Sequence, residues 1–259
     1  MNIIGIIPAR MASSRFPGKV LAPILGMPMV GHCYFRTKMC KSIDEVYIAT
    51  CDKEVADYAE SIGAKVVMTA DTHKRAMDRT AEAVQNIEKE TGERVDIALQ
   101  MQGDEPMVTK EMLNDALKVM CADESINLMN LVQPITEKRD LEIPDVLKVV
   151  TDLKGNMLYY SRSCIPYDCG KYDKPVPYLK TLGVHLFRRD FLFEFTNMES
   201  TPLETIESTD MLRALENGKP VATSIAKTPM WSVDTKEDLD FVESKMKNDP
   251  LIKKYVKAT

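Results

Sequence analysis

The feature that most constrains the fold of this chain is the alternation of short apolar runs with amphipathic stretches over residues 3–120. Each apolar run has the length and composition of a strand buried on both faces, and Asp52 stands where it would cap one of the helices between them. Strands and helices that alternate through short links predict a parallel, doubly wound sheet of the α/β class. The predicted strands are 3–7, 46–50, 65–69 and 96–101, and the predicted helices are 28–40, 53–62, 76–90 and 109–120.

The pattern changes after residue 120, where strands and loops predominate. Residues 147–161 predict a β-hairpin, because a turn sequence separates two alternating runs. Residues 166–177 are rich in Pro, Gly, Tyr and charge and predict an irregular loop. We therefore expect a single domain over residues 1–259 that carries a smaller β-rich lobe at about 127–228. The remaining predicted strands are 127–135, 178–187, 221–226 and 231–233, and the remaining helices are 189–195, 205–217 and 235–247.

A loop with three cations follows the first predicted strand. The cations are Arg10, Arg15 and Lys19, and small residues between them, such as Ser14 and Gly18, let the backbone approach a ligand closely. A buried strand that leads into a small, basic loop is suited to hold a phosphate chain. The alternative is an ordinary basic loop that faces solvent. The glycine patterns of P-loops and of dinucleotide-binding folds are absent, which disfavours a P-loop NTPase and a nicotinamide dehydrogenase.

Composition narrows the class of protein and of partner. The net charge of −5 disfavours a nucleic-acid-binding surface. No apolar run reaches the roughly 20 residues of a membrane span, and the N-terminus lacks the pattern of a signal peptide. The six cysteines form no Cys-x-x-Cys pair, so we expect reduced, mostly buried thiols in a cytoplasmic protein.

Residues 7–19 read Ile-Pro-Ala-Arg-x-x-Ser-x-Arg-x-Pro-Gly-Lys. This stretch resembles the N-terminal signature of the CMP-Kdo synthetases, the 3-deoxy-manno-octulosonate (Kdo) cytidylyltransferases, and the resemblance continues through residues 147–150, 159–167 and 233–239. It implies a three-layer, Rossmann-like (GT-A-like) nucleotidyltransferase fold and a homodimer formed through the β-rich lobe. It also implies a reaction in which a hydroxyl of an acidic sugar attacks the α-phosphorus of CTP and pyrophosphate leaves.

The resemblance assigns two groups of residues to the nucleotide. Arg10, Arg15 and Lys19 would contact the phosphates of CTP, and Arg10 and Lys19 would also be catalytic. Asp104 and Asp234 would be catalytic as ligands of Mg²⁺, a hard cation that bridges carboxylates and phosphates. The resemblance places further nucleotide contacts at Pro8, Ala9, Arg79 and Gln102.

Without the resemblance, the two aspartates have ordinary interpretations. Asp104 would hydrogen-bond the amides of its own loop. Asp234 would be the N-cap of the following helix, since Asp234 and Glu237 have the spacing of a capping box.

The resemblance also implies contacts with the acidic acceptor. Arg162 is a candidate because a desolvated carboxylate needs a cationic partner. Lys148 has similar chemistry but is left out of the site, and the alternative for both is a solvated strand edge. Gln102 has the alternative of a loop-bracing amide, and His185 that of a hydrogen-bonded core residue. The predicted acceptor-binding residues are Gln102, Arg162, His185, Glu204 and Asp210.

Three stretches depart from the family pattern. Residues 75–77 are Arg-Ala-Met where the family has Ser-Gly-Thr near the nucleotide. Thr181 and His185 stand in place of a histidine and a tyrosine, and Met211 in place of a glutamine. Since Met211 cannot make the hydrogen bonds of an amide, we hypothesise that the acceptor is not ordinary Kdo. It would be a modified Kdo, another 2-keto sugar acid or a smaller anion such as a phosphonate, and the alternative is a nucleotide-binding protein without turnover.

Overall fold

The computed structural model describes residues 1–13 and 15–256, so Ser14 of the basic loop lies outside the described residues. The chain divides into two compact units, residues 1–114 together with 230–259, and residues 115–229. The first unit begins with alternating strands and helices. They are β1 (Ile3–Pro8), β2 (Pro23–Ile24), β3 (Met27–Pro28), α1 (Met29–Lys38), β4 (Glu45–Thr50), α2 (Lys53–Ser61), β5 (Lys65–Met68), α3 (Ala76–Thr91), β6 (Ile97–Met101) and α4 (Lys110–Ala122), which runs on into the second unit.

Four of these strands form a parallel sheet in the order β6-β1-β4-β5. Residues 3–7 of β1 are all buried, as expected for a strand enclosed on both faces, which has no polar side chain to expose to solvent. The chain leaves β1 for β4 on one side and later reaches β6 on the other, so the strand order reverses beside β1. The carboxyl ends of β1 and β6 flank this switch point, where α/β sheets bind ligands. The predicted α/β class is confirmed.

Helix α3 illustrates how the helices cover this sheet. Its predicted apolar stripe, Ala81, Val84 and Ile87, is buried, and burying a large aliphatic side chain contributes about 1.5–3 kcal/mol. The helix ends at Gly92, whose φ of +72° lies in the left-handed region that favours glycine.

The second unit is richer in antiparallel strands. β10 pairs antiparallel with β7 and β8, β8 and β9 form the predicted hairpin, and β11 lies parallel to β7. The hairpin turn is closed by the Asp152 carboxylate, which accepts hydrogen bonds from the backbone N–H groups of Lys154 and Asn156, each at 2.8 Å. The elements are β7 (Leu128–Pro134), α5 (Arg139–Glu142), β8 (Lys148–Thr151), β9 (Met157–Ser161), β10 (Leu179–Arg188), α6 (Arg189–Asn197), α7 (Pro202–Glu207), α8 (Met211–Glu216) and β11 (Ala222–Ile225).

Two predicted elements are wrong. The helix expected over 205–217 is two short helices, α7 and α8, because Ser208 adopts a left-handed φ of +50° that ends the first of them. The first helix also begins before residue 205, since Thr201 and Glu204 form a capping box. The strand expected at 231–233 is absent. In this stretch the Val233 N–H donates to the Asp104 carbonyl at 3.0 Å.

The chain rejoins the first unit after residue 229. The last helix, α9 (Lys236–Met246), buries its predicted apolar face beside Val233 and the residues around β2. This cluster fixes the stretch that carries Asp234. Its fully buried members are Ile24, Met29, Val233, Leu239, Val242 and Met246.

The C-terminal stretch is fastened to α1 by a buried polar network. The Asp249 carboxylate accepts from Arg36 Nη2 at 2.5 Å, and the Tyr255 hydroxyl accepts from Arg36 Nε at 2.9 Å. His32 Nε2 lies 2.8 Å from the Ile24 carbonyl and Nδ1 lies 2.9 Å from the Tyr255 hydroxyl. Because a carbonyl only accepts, Nε2 carries the proton and Nδ1 accepts from the tyrosine.

No disulfide joins any of the six cysteines, all of which the structure describes. The prediction that most of them are buried is wrong, because Cys121, Cys164 and Cys169 are exposed. In the described part of the chain, no helix combines the length and apolar character needed to cross a bilayer.

Candidate functional site

The basic loop after β1 is held in place by hydrogen bonds that its backbone N–H and carbonyl groups make. The Ala9 N–H donates to the Ala49 carbonyl at 2.9 Å, which continues the pairing of β1 with β4 for one residue. The Met11 N–H donates to Asp52 Oδ2 at 2.7 Å, and the Met11 carbonyl accepts from the Gly18 N–H at 2.9 Å. Gly18 has a φ of +73°, and a Cβ there would lie 3.3 Å from Met11 Cε. The bond between Gly18 and Met11 therefore closes the loop, and Lys19 begins a short 3₁₀ turn, Lys19–Leu21.

Lys19 brings together the two aspartates that the resemblance assigns to a metal. Its ammonium donates to Asp104 Oδ2 at 2.6 Å, to Asp234 Oδ1 at 2.9 Å and to the Val233 carbonyl at 3.1 Å. These three acceptors use all three N–H donors of the side chain. Arg15 adds a second cation, with Nη2 2.9 Å from Asp234 Oδ1.

The loop after β6 approaches the basic loop through a glycine. A Cβ on Gly103 would lie 3.2 Å from the Pro8 carbonyl oxygen, closer than most real Cβ contacts, so this position favours a residue without a side chain. Asp104 follows directly, and its carbonyl accepts from the Val233 N–H at 3.0 Å. This bond sets Asp234 beside Asp104, although the two residues are 130 positions apart in the chain.

The interpretation of Asp234 as a helix cap is wrong. The N-cap of α9 is Thr235, which forms a capping box with Asp238. The Asp234 carboxylate is therefore available to Lys19 and Arg15. The interpretation that Asp104 bonds its own loop amides is also not what the structure shows, since Oδ2 accepts from Lys19 and the buried Oδ1 has no hydrogen-bond partner.

The charge of Lys19 is stabilised by the two carboxylates that it contacts. Burial by itself would lower the pKa of Lys19, but the charges of Asp104 and Asp234 and their hydrogen bonds outweigh burial and raise the pKa above its usual value. The ammonium therefore stays charged at neutral pH and holds the two carboxylates together.

The other predicted nucleotide residues differ in burial and in hydrogen-bond partners. Pro8 ends β1, and Gln102 is half-buried at the start of the loop after β6. Arg10 is exposed, with Nη1 3.3 Å from the His73 carbonyl. Arg79 is buried, where its guanidinium donates to the Thr69 hydroxyl and to the Cys51 sulfur. The structure thus places Arg79 as an anchor of the loops after β4 and β5 and Arg10 at the surface.

Arg162 and Lys148, in the second unit, are bound to the protein and do not lie on a solvated strand edge. Arg162 Nε donates to the Glu207 carbonyl at 2.7 Å and Nη1 to the Pro144 carbonyl at 3.1 Å. Lys148 is fully buried and donates to the Ile143 and Arg162 carbonyls at 2.7 and 2.9 Å.

The remaining predicted acceptor residues also lie in the second unit. Glu204 is 1 % exposed and forms a two-point ion pair with Arg213. His185 is buried in β10, opposite Asn130 of β7, and burial lowers its pKa to about 3, so the ring is neutral. Asp210 is half-buried at the N-cap position of α8. Their contact with an acceptor stays a prediction.

Sequence reasoning missed the role of Asp52. It occupies the N-cap position of α2, as predicted, yet its side chain makes no cap bond and accepts from Met11 instead. The available signal was its place directly after the carboxyl end of β4, the same edge of the sheet as the basic loop.

Comparisons with known proteins identify the family to which the chain is similar. Residues 4–224 match the model of a family described as cytidylyltransferase. A 3-deoxy-manno-octulosonate cytidylyltransferase of Geobacter metallireducens is 40% identical over 95% of this chain and 98% of its own length. One from Thermodesulfovibrio yellowstonii is 37% identical over 94% and 97%.

A solved structure of CMP:2-keto-3-deoxy-manno-octonic acid synthetase complexed with CTP has the same fold. It matches with a TM-score of 0.86 and 31% identity, over 96% of this chain and all of that one (100%). The predicted nucleotidyltransferase fold is confirmed.

Proposed function

Because the chain belongs to the cytidylyltransferase family, we propose that it transfers CMP from CTP to an acidic sugar of the Kdo class and releases pyrophosphate. The observation that carries the proposal is the Lys19, Asp104 and Asp234 cluster, which sits at the switch point of the parallel sheet. Opposite charges held at this edge are what a triphosphate and its counter-ion require.

The chemistry relies on position and charge. The acceptor hydroxyl gives up its proton to water and attacks the α-phosphorus, and the bond from that phosphorus to the bridging oxygen of pyrophosphate breaks. Arg10, Arg15 and Lys19 neutralise the negative charge that develops on the leaving pyrophosphate. The site holds the acceptor hydroxyl in line with the α-phosphorus, which lowers the entropic cost of bringing the two substrates together. No covalent intermediate on the protein is therefore needed.

Asp104 and Asp234 fit a divalent cation, for which we propose Mg²⁺. Their carboxylates share one cation already, and the buried Asp104 Oδ1 has no hydrogen-bond partner. Among the residues that the structure describes, no group of three or more His, Cys, Asp or Glu side chains is placed to hold a metal. The other ligands would therefore be phosphate oxygens and water, as is usual for Mg²⁺. When bound, the ion would polarise the α-phosphate.

The acceptor is proposed to be Kdo or a close 2-keto sugar acid. Relatives that carry the Kdo name support Kdo itself. Met211 and His185, which are both buried where the family pattern has glutamine and tyrosine, support an acceptor with different polar groups. We also propose that the second unit carries a homodimer interface and the acceptor contacts other than that of Gln102. Exposed apolar side chains there, such as Leu158 and Ile206, are compatible with that role.

Pyrophosphate release tests the proposal. Wild-type protein is assayed with Mg²⁺, each of CTP, UTP, ATP and GTP in turn, and a panel of acceptors that includes Kdo, amino-substituted Kdo, other 2-keto sugar acids and a phosphonate. Asp104→Asn is expected to lose release with CTP. Asp240→Asn removes an exposed carboxylate on α9 and is expected to behave as wild type. No release with any acceptor, in a protein that binds CTP, would refute the catalytic proposal.

A further inference from the structure

The contacts of Lys19 conflict with a simple role in phosphate binding. Its three N–H donors are taken by Asp104 Oδ2, Asp234 Oδ1 and the Val233 carbonyl, at 2.6, 2.9 and 3.1 Å. No donor is left for a phosphate oxygen unless one of these bonds breaks. A divalent cation meets the reciprocal obstacle, because the two carboxylates that would bind it already hold an ammonium.

The charges in the cluster indicate how this conflict is resolved. Asp104 and Asp234 carry two negative charges, and Lys19 and Arg15 carry two positive charges that balance them. A divalent cation that arrives alone enters a neutral cluster and displaces an ammonium that is only 13 % exposed. Such a displaced ammonium is desolvated and unpaired, which is unfavourable. A triphosphate that arrives with the cation offers oxygens to both Lys19 and Arg15.

We propose that Lys19 is an exchangeable placeholder: its ammonium holds Asp104 and Asp234 together in the nucleotide-free protein, and it moves to the triphosphate when these carboxylates take a divalent cation. The inference rests on the proposed function, which assigns the cation to these two residues. It accounts for the way Lys19 and Arg15 balance the charges of the two carboxylates. It also requires that metal and nucleotide bind cooperatively, because each removes a contact that opposes the other.

Mn²⁺ binding to the nucleotide-free protein tests the placeholder, with Mn²⁺ as a spectroscopic substitute for Mg²⁺. Free Mn²⁺ is followed by electron paramagnetic resonance during titration of wild type and Lys19→Met. The methionine keeps most of the length of the side chain and removes the charge. Lys53→Met is the matched control, since Lys53 is exposed and forms an ion pair with Asp57 on the surface of α2.

Wild type is expected to bind Mn²⁺ weakly, and Lys19→Met at least about 10-fold more tightly, which corresponds to about 1.4 kcal/mol. Lys53→Met is expected to match wild type. CTP should raise the Mn²⁺ affinity of wild type strongly and that of Lys19→Met far less. Asp104→Asn should remove the tight binding from the Lys19→Met background.

Equal Mn²⁺ affinity in folded wild type and Lys19→Met would overturn the placeholder, and so would a wild type that binds Mn²⁺ neither alone nor with CTP. If Lys19→Met does not fold, Arg15→Met replaces it. This variant removes the second cation on Asp234 and is expected to tighten Mn²⁺ binding by a smaller factor of about 3, again without nucleotide. The proposed function fails separately: the Mn²⁺ results would then hold while no acceptor yields pyrophosphate from CTP.

Discussion

Arg213 and Glu204 form an ion pair in which both side chains are buried. Nε donates to Oε2 at 2.9 Å and Nη2 donates to Oε1 at 2.7 Å, and the side chains are 6 and 1 % exposed. The same carboxylate accepts from the backbone N–H of Thr201 at 3.1 Å. Glu204 thus joins the start of α7 to α8, at a position that the family resemblance assigns to the acceptor.

Replacing Glu204 is therefore expected to reduce stability. Glu204→Gln leaves the Arg213 guanidinium buried without its countercharge, and breaking a buried pair in this way costs about 3 kcal/mol of unfolding free energy. Urea denaturation measures the loss. Glu194→Gln breaks an exposed pair with Lys219 in the same unit and should cost under about 1 kcal/mol. A stable Glu204→Gln with a raised KM for the acceptor would instead place Glu204 on the substrate.

Asp52 is expected to order the basic loop. Asp52→Asn weakens the charge-assisted bond to the Met11 N–H, and we expect a loss of about 1 kcal/mol in local stability. Hydrogen exchange of a peptide that covers the loop should speed up about 5-fold, and KM for CTP should rise. Asp57→Asn, on the exposed side of α2, is the matched control. Unchanged exchange in the loop of Asp52→Asn would contradict the anchoring role.

Stability is expected to fall in mild acid through His32. Burial lowers the pKa of this ring from its ordinary 6.5 to about 4, although its hydrogen bond to Ile24 opposes the change. The unfolded chain therefore binds a proton between pH 6.5 and 4 that the folded chain does not. Unfolding free energy should decrease across this window by up to about 3 kcal/mol and show no contribution from His32 above pH 6.5.

The variant His32→Gln isolates this contribution, because the amide can still donate to the Ile24 carbonyl. Its unfolding free energy, measured from pH 7.5 to 4, should fall less steeply than that of wild type. Other acidic groups contribute to both proteins and cancel in the difference. Parallel curves would show that His32 does not titrate in this range.

Acceptor choice is expected to depend on His185 and Met211. The double variant His185→Tyr/Met211→Gln restores the family residues at these two positions and should raise kcat/KM for Kdo about 10-fold. The reason is that a sugar hydroxyl buried without a partner costs about 1–3 kcal/mol. Affinity for CTP and the thermal midpoint are measured alongside, to exclude a damaged fold. A lower or equal kcat/KM for Kdo in a stable variant would refute this assignment.

Local sequence patterns predicted the strands and helices well where residues close in sequence set the structure. Apolar runs identified the four strands of the parallel sheet but not the short strands β2 and β3, and the turn at 152–156 identified the hairpin. The prediction failed at 205–217, because the left-handed φ of Ser208 depends on how α7 and α8 pack against each other. The spacing of apolar residues is the same with or without this break in the helix. It failed at Asp234 because a neighbouring threonine was the better placed cap.

The sequence alone determined the α/β class and the basic loop after β1. Through its family resemblance it also predicts that Asp104 and Asp234 belong to a nucleotide site. These features are carried by short stretches whose periodicity and composition can be read directly. Only the tertiary structure decided that one ammonium joins both aspartates, that Asp52 holds the loop and that Glu204 pairs with Arg213. Such contacts join residues from separate segments, and their distances follow from strand order and packing, which no local pattern encodes.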